Sequence, residues 1–345
     1  MRGRARRLAR AGLLCLALGP LGCGDGRTPL VVYSPHGRDL LTLVEDAFEA
    51  EHREIDLRFL DMGSQEVLDR IRSERANPQA DVWFGGPSTL FARAAAEGLI
   101  AAYRPPWISG VPAAHRVEDD AYAVLYLTPT LIVYNRDAVA AAEAPGDWDD
   151  LLDARWRDQV LIRDPLASGT MRTIFGALIS RAVERTGSPD EGFEWLRRLD
   201  AQTREYVHNP TLLHEKIVRR EGLVTMWEMT DILNLIGRGA PLAYRFPASG
   251  APVIEDSIAV VAGARRADEA RRFVDWAGSP EALSLAAEKA YRLPASEELG
   301  GRALPEWVAE VRATLVPEPV DWDRLGERGA EWMATWDRTV RGRGK

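Results

Sequence analysis

Ser168, Gly169 and Thr170 combine residue types and a position that suit the binding of an anion. They follow an apolar run at 160–163 that predicts a short buried strand, and Asp164-Pro165 ends that strand just before them. A helix is expected to begin here. Its first backbone N–H groups lack intrahelical partners and the helix dipole is positive at this end, so hydroxyl and amide donors can hold a phosphate or carboxylate. The alternative is that Ser168 or Thr170 only caps the helix.

The same arrangement recurs at 222–236, where an apolar strand pattern turns into a helix pattern. Trp227, Glu228 and Asp231 lie at this second turn. If the bound molecule carries an amine, either carboxylate can pair with it and the indole can stack on the cation. Acidic side chains are also favoured in the first turn of any helix, so a purely structural role for both acids is the alternative.

Three further polar turns lie in the first hundred residues, each between a predicted strand and a predicted helix. The strands are expected at 30–33, 55–60 and 81–84. Three such units in succession predict a mainly parallel sheet with helices on its faces, and ligands of such sheets bind beyond the carboxyl ends of the strands. Each turn residue can also serve as an ordinary cap or turn former. The residues expected to line this edge are Ser34, His36, Ser64, Gly86 and Ser88.

The length of 345 residues allows two lobes with separate cores. Residues 121–135 form a β-rich run that is too long for one typical strand, so we expect two strands separated at Thr128-Pro129-Thr130. The chain is expected to cross to a second lobe there and to return through 252–261. The predicted division is residues 30–123 and 256–345 for lobe 1 and residues 124–255 for lobe 2. Four tryptophans near the C-terminus are expected in a core: Trp307, Trp322, Trp332 and Trp336.

The N-terminus has the features of an export signal, predicted to span residues 1–22. A basic start precedes an apolar run at 11–18, which is too short to cross a bilayer as a stable anchor. Leu21-Gly22-Cys23 resembles a bacterial lipoprotein cleavage site. Cys23 is therefore expected to be lipidated and to attach the protein to a membrane, with residues 23–29 as a linker. Cys15 leaves with the signal, so no internal disulfide is expected.

Charge and motifs restrict the function classes. The signal holds five arginines and no acid, so its removal lowers the net charge from −8 by 5 to −13, which disfavours nucleic acid as a partner. The chain lacks H-E-x-x-H, C-x-x-C, the phosphate-binding G-x-x-x-x-G-K-[ST] and G-x-S-x-G. We therefore expect no catalytic residues, no resident metal and no cofactor, and a secreted hydrolase is only a remote alternative.

The order of these motifs resembles a bacterial extracellular solute-binding protein of an ABC importer, in the group that includes ferric-ion, phosphosugar and 2-aminoethylphosphonate binding proteins. The likeness runs from about Leu30 to Pro294. It implies an α/β fold with two lobes, of the type II periplasmic-binding-protein kind, in which hinge strands join two mainly parallel sheets flanked by helices. It also implies a monomer that closes on a solute and delivers it to a membrane permease. The stretches that carry the likeness are 32–37, 77–86, 147–152, Asp164-Pro165 with 168–170, and 256–261.

The resemblance leaves two classes of solute open. Ferric binders of the group usually hold the metal with two adjacent tyrosines, and no tyrosine of this chain is adjacent to another. A small anion such as 2-aminoethylphosphonate or a sugar phosphate is therefore the favoured solute, bound in the cleft on the periplasmic or extracellular side. The alternative is ferric iron, carried as the transported ligand and bound by His36, Glu228, Asp231 and a co-bound anion.

Overall fold

The computed structural model describes residues 26–344. The predicted signal peptide and Cys23 lie outside the described residues, so the structure leaves both predictions as they stand. Within 26–344, no helix is both long and apolar enough to cross a membrane.

The first sheet is built as the alternating pattern predicts. Strands β1 (Thr28–Ser34), β2 (Ile55–Asp61) and β3 (Val82–Pro87) are parallel, in the order β2-β1-β3. The helices that follow them are α1 (Arg38–Glu51), α2 (Ser64–Glu74) and α3 (Ser88–Ala96). Helix α1 buries Leu40, Leu41, Val44 and Phe48, because this spacing places them on one face. Short β4 (Ile100–Ala101) and β10 (Val253–Val261) complete this side, with β10 antiparallel to β3 and to β4.

Strand β5 (Ala123–Asn135) belongs to both sheets. The prediction of two strands is wrong, because the backbone stays extended over 13 residues. The change of partner nevertheless falls within 128–130, where two strands were expected to separate, since Pro129 pairs with β10 and Thr130 pairs with β8 (Val224–Glu228). Pro129 has no N–H to donate, whereas the Thr130 N–H donates to the Pro252 carbonyl at 2.9 Å.

In the second sheet, strand β6 (Val160–Arg163) is parallel to β7 (Thr203–Val207) and to β8. The strand order is β7-β6-β8-β5, with β9 (Leu242–Arg245) also paired with β5. The carboxyl ends of β6, β7 and β8 therefore lie at one edge, where helix α4 (Gly169–Thr186) and helix α7 (Met229–Gly237) begin. Helices α5 (Asp190–Gln202) and α6 (Pro210–Val218) complete the connections of this sheet.

The C-terminal quarter is divided between the two sheets. Helices α8 (Ala267–Ala277) and α9 (Pro280–Ala290) pack on the first sheet, and β11 (Leu293–Pro294) pairs with β5. We expected residues 256–345 to belong to lobe 1, but α10 (Glu306–Thr314) and α11 (Trp322–Thr339) bury apolar side chains in the core of the second sheet. The physical reason is visible at Trp336, whose ring meets Phe175 of α4 at 5.6 Å and Tyr206 of β7 at 5.1 Å.

We use lobe 1 for the first sheet with its helices and lobe 2 for the second sheet with its helices. Trp332 and Trp336 are fully within the lobe 2 core, while Trp307 and Trp322 pack against it and stay partly exposed. Helix α11 also reaches α3, so it touches both lobes. The lobe boundaries within β5 and β10 stay a prediction.

Candidate functional site

The carboxyl ends of β1 and β3 bring together the first group of predicted residues. Ser34 is fully buried, and its hydroxyl accepts the His36 N–H at 3.1 Å. Ser34 therefore fixes the turn that carries His36. Ser64, the first residue of α2, lies close to Gly86, because a Cβ built on Gly86 would be 3.2 Å from the Ser64 Oγ.

His36 is a buried, neutral side chain on this edge. It is 4% exposed, and its ring packs edge-on against Phe84 at 4.8 Å. A Cβ on Gly85 would come within 2.2 Å of the His36 Nε2, and Gly85 has a φ of +96°, so only glycine fits there. Burial, together with the nearby Arg292 charge, lowers the pKa of His36 to about 3. The Nε2 atom is buried and has no hydrogen-bond partner within residues 26–344.

Arg292 and Asp256 lie beside His36, although neither was among the site residues expected from the sequence. One carboxylate oxygen of Asp256 accepts the Gly86 N–H at 2.5 Å. The other faces the Thr128 hydroxyl and the Arg292 guanidinium, each at 3.4 Å. The Arg292 side chain is 13% exposed, and its Nε is buried without a partner among the described residues. A largely buried arginine is thus held by one long contact, which leaves most of its five N–H donors uncommitted.

The position of Arg292 follows from the end of α9. Tyr291 adopts a left-handed conformation with a φ of +51°, and Leu293 then pairs with Leu127 of β5. Arg292 lies between these two residues, where its charge acts on His36 of lobe 1 and on Glu228 of lobe 2. No spacing motif marks this residue in the sequence. Its only local signal is an arginine between a helical pattern and Leu293-Pro294.

Lobe 2 contributes the predicted acidic group. The Glu228 carboxylate caps α7, accepting the Thr230 N–H at 2.7 Å and the Asp231 N–H at 2.9 Å. Burial and the Asp231 charge raise the pKa of Glu228 to about 8, although Arg292 and the two N–H groups act in the opposite direction. Asp231 accepts the Trp227 indole N–H at 2.9 Å. Trp227 is only 5% exposed, so its ring serves mainly as core.

Helix α4 begins with a capping serine, as the structural alternative for Ser168 predicts. The Ser168 hydroxyl accepts the Met171 N–H at 3.2 Å, as an N-cap does. Gly169 is exposed and Thr170 is half-buried. The Thr170 hydroxyl makes no hydrogen bond within the described residues, so it stays available. The three residues lie at the same edge as Glu228, because β6 and β8 run parallel with Val160 opposite Val224.

Ser88 is engaged by a group that sequence reasoning did not find. Its hydroxyl donates to Glu255 at 2.9 Å, and the other Glu255 oxygen lies 2.7 Å from the His115 Nδ1. In a catalytic triad the histidine lies between the serine and the carboxylate and accepts the serine proton directly. Here the Glu255 carboxylate lies between Ser88 and His115, so these three residues do not form a triad. Glu255 also places a negative charge at the start of α3, which disfavours anion binding at that helix.

The described residues at this edge supply donors, acceptors and charges from both lobes. Within residues 26–344, no group of three or more His, Cys, Asp or Glu side chains is arranged to hold a metal ion. Lobe 1 supplies a neutral imidazole, a serine hydroxyl and glycine turns, and lobe 2 supplies an acidic pair and the start of α4. Arg292 lies between them. These groups can bind and orient a small polar molecule.

Comparison with known proteins identifies the family. Residues 77–325, well over half of the chain, match the model of the family described as bacterial extracellular solute-binding protein. The chain belongs to this family. Members are the solute-binding components of ABC importers that deliver small solutes to permease subunits; they are not enzymes, and no cofactor is indicated.

Some proteins similar to this solute-binding protein are named for, or solved with, different ligands. A probable ABC transporter periplasmic-binding protein of Sinorhizobium fredii is 28% identical over 90% of this chain and 86% of its own. A putative 2-aminoethylphosphonate-binding periplasmic protein of Salmonella typhimurium is 27% identical over 71% of each chain. The periplasmic binding protein AfuA from Actinobacillus pleuropneumoniae, solved with fructose-6-phosphate bound, superposes with a TM-score of 0.78 at 23% identity, covering 92% of this chain and 100% of that one. Ferric-binding proteins share the two-lobe fold as well.

Proposed function

We propose that the solute captured by this ABC importer component is a small organic anion with a phosphonate or phosphate-ester head. The observation that carries the proposal is Arg292, a largely buried arginine with uncommitted donors. A guanidinium presents two parallel N–H groups that match the oxygens of such a head. A buried charge without a full partner is costly, so an anion that pairs with Arg292 would gain binding energy from a group already in place.

Other donors at the carboxyl edges of the two sheets support a head of this kind. The Ser64 hydroxyl and the free Thr170 hydroxyl are neutral donors at the starts of α2 and α4, where the helix dipoles favour an anion. His36 is neutral, so it can donate or accept one hydrogen bond through Nε2 without bringing a second charge. One similar protein is named for 2-aminoethylphosphonate and another was solved with fructose-6-phosphate, and both of these ligands have a head of this type.

The remainder of the solute would face the acidic pair of lobe 2. A cationic amine near Glu228 would favour its ionised form and lower its raised pKa, which would release a proton on binding. A sugar hydroxyl would instead leave Glu228 protonated and accept or donate a hydrogen bond. Proton release measured in buffers of different ionisation enthalpy therefore distinguishes an aminophosphonate from a sugar phosphate.

Ferric iron is less well supported as the solute. Two of the three side chains expected to hold it are already engaged, because Glu228 accepts two backbone N–H groups and Asp231 accepts the Trp227 indole N–H. The chain also has no adjacent tyrosines that could replace them. Iron stays the alternative outcome of the experiment below.

Calorimetry of the purified protein from Cys23 onward tests the proposal. The panel is 2-aminoethylphosphonate, fructose 6-phosphate, glucose 6-phosphate, inorganic phosphate and ferric citrate. We expect micromolar or tighter binding of one organic phosphonate or phosphate ester, and recovery of that compound unchanged. Binding of ferric citrate alone, or of no member of the panel, would overturn the proposed solute class.

The N-terminal sequence supports a further proposal, that Cys23 anchors the protein by a lipid. We expect Cys23→Ser to appear in the soluble periplasmic or medium fraction, whereas the unaltered protein fractionates with membranes, because one thioether-linked lipid group provides the attachment. Cys15→Ser, within the predicted signal, is the matched control and should stay with the membranes. Membrane association of Cys23→Ser would contradict lipidation. We further propose that the protein acts as a monomer.

A further inference from the structure

The loop at 164–168, which leads into the start of α4, is held by arginine side chains as well as by backbone hydrogen bonds. The Asp164 N–H donates to the Val207 carbonyl at 2.9 Å, and the Ala167 N–H donates to the Asp164 carbonyl at 3.1 Å. Arg172 donates to the Pro165 carbonyl at 3.3 Å and to the Leu166 carbonyl at 2.7 Å, and Arg163 donates to the Ala167 carbonyl at 3.3 Å. The loop's own Asp164 accepts the Leu166 N–H at 2.9 Å. The remaining oxygen of Asp164 pairs with Arg341, which is 177 residues away in the sequence.

Arg341 is itself held in a defined orientation. Its guanidinium lies over the Trp336 ring at 5.2 Å and over the Tyr206 ring at 5.3 Å, and it pairs with Asp337 at 2.9 Å. Aromatic contact restricts the rotamers of a long side chain, so the ion pair with Asp164 is preorganised.

The residues after Arg341 are bound to lobe 2 by a buried carboxylate. Asp200 is 1% exposed and accepts the Gly342 N–H at 2.9 Å, the Gly344 N–H at 2.8 Å and the Tyr206 hydroxyl at 2.6 Å. A Cβ on Gly344 would lie 2.3 Å from the Arg197 carbonyl oxygen. Only glycine therefore allows residue 344 to approach α5 this closely. These contacts tie the end of the chain to the α5–β7 connection.

We propose that the C-terminal segment 341–344 is a clamp that positions the lobe 2 half of the binding site. Arg341 is its positioning residue: it acts through Asp164 on the loop that places Ser168, Gly169 and Thr170. The effect on the solute rests on the function proposed above, whereas the effect on the loop does not. A loop that supporting contacts already hold in place binds a solute more tightly than a loop that the solute must first order, because ordering costs free energy.

Hydrogen exchange of the ligand-free protein tests the clamp without any solute. In Arg341→Gln, amides at 164–172 should exchange roughly tenfold faster, because local opening no longer has to break the ion pair and the aromatic contact. Arg343→Gln, an exposed change on the same tail, is the matched control and should leave them unchanged. Asp164→Asn keeps the acceptor for Leu166 N–H but loses the charge, so it should speed exchange and should not add to Arg341→Gln. Unchanged exchange at 164–172 in Arg341→Gln would overturn the proposal, even if the melting temperature fell.

Affinity for 2-aminoethylphosphonate gives the second readout. We expect Arg341→Gln to weaken binding by about 3- to 10-fold, with Arg341→Lys intermediate because it keeps the charge but not the planar contact. Faster exchange with unchanged affinity would show that the loop lies outside the site and would overturn its role in binding. If the unaltered protein does not bind 2-aminoethylphosphonate, this compound is excluded as the solute. The hydrogen-exchange result still tests whether Arg341 positions the loop.

Discussion

At the scale of single residues, the proposed solute class depends chiefly on Arg292. Its pairing with Asp256 is long at 3.4 Å, whereas Asp256 is held firmly by the Gly86 N–H at 2.5 Å. Asp256 therefore keeps its place if Arg292 turns toward a ligand. His36 and Glu228 flank the guanidinium, and burial holds both largely uncharged near neutral pH.

Substitution of Arg292 measures its share of the binding energy. Arg292→Gln should weaken binding of the captured anion by about 10- to 100-fold, the loss expected when hydrogen bonds from a charged donor are removed. Arg292→Lys should lie between, because an ammonium keeps the charge without the forked geometry. Calorimetry provides the measurement, and Arg302→Gln, which removes only an exposed pair with Glu281, is the control. Equal affinity of Arg292→Gln and the unaltered protein would exclude Arg292 from the site.

The raised pKa of Glu228 predicts a loss of stability at alkaline pH. Its pKa of about 8 in the folded state exceeds the ordinary 4.5, so the folded protein binds the proton more tightly and its stability falls as pH rises through 8. His36 acts at lower pH: its pKa falls from 6.5 to about 3, so its contribution is complete above 6.5 and is lost below it. Between pH 6.5 and 8.5, therefore, Glu228 and not His36 changes the stability with pH.

Denaturant unfolding at pH 6.5 and 8.5 tests whether ionisation of Glu228 lowers the free energy of unfolding. We expect Glu228→Gln to lose less unfolding free energy over this interval than the unaltered protein, because its side chain cannot ionise but still caps α7 through oxygen. The exposed Glu288→Gln is the control and should behave as the unaltered protein does. An equal loss in Glu228→Gln would show that Glu228 is ionised across the whole interval.

At the scale of elements, the starts of α4 and α7 combine an observed capping role with a proposed role in binding. Each is capped by its own side chain, Ser168 or Glu228, and each lies at the edge where the solute is proposed to bind. Capping uses one side chain of α4 and leaves the Thr170 hydroxyl free. The two neighbouring residues should therefore separate stability from binding.

Single alanine substitutions at α4 test this separation. Ser168→Ala should lower the unfolding free energy by about 1 kcal/mol, because the Met171 N–H loses its acceptor. Thr170→Ala should leave stability within about 0.5 kcal/mol and weaken solute binding by about 1 kcal/mol. Urea unfolding and calorimetry on the same preparations give both values. If Thr170→Ala binds normally, the start of α4 is only a capped helix.

At the scale of the whole molecule, two lobes share β5 and face each other across Arg292. Besides the paired strands, α11 touches α3 of lobe 1 and α4 of lobe 2. An exposed ion pair between Asp39 of α1 and Arg238 at the end of α7 also joins the lobes. Such a pair adds little to stability, but it favours the arrangement in which the lobes are close.

Charge reversal at this pair tests its effect on closure. Asp39→Arg should weaken apparent solute affinity about 2- to 5-fold at low salt, because two arginines then repel across the cleft, and the effect should shrink at high salt. The double change Asp39→Arg with Arg238→Asp should restore affinity. Calorimetry at two salt concentrations is the measurement, and a single variant with full affinity at low salt would show that the pair has no part in closure.

The sequence by itself determined the alternation of strands and helices, the polar turns at one edge of each sheet and the interruption of strand pairing near Pro129. These depend on hydrophobic period and turn chemistry, which are local. Only the tertiary structure decided that β5 is continuous, that α10 and α11 pack on lobe 2, and that Arg292 and Asp256 join His36. Those outcomes rest on contacts between distant residues, such as the Gly86 N–H and the Asp256 carboxylate, 170 positions apart. No local pattern encodes such a contact, because its energy exists only once the two sheets are packed.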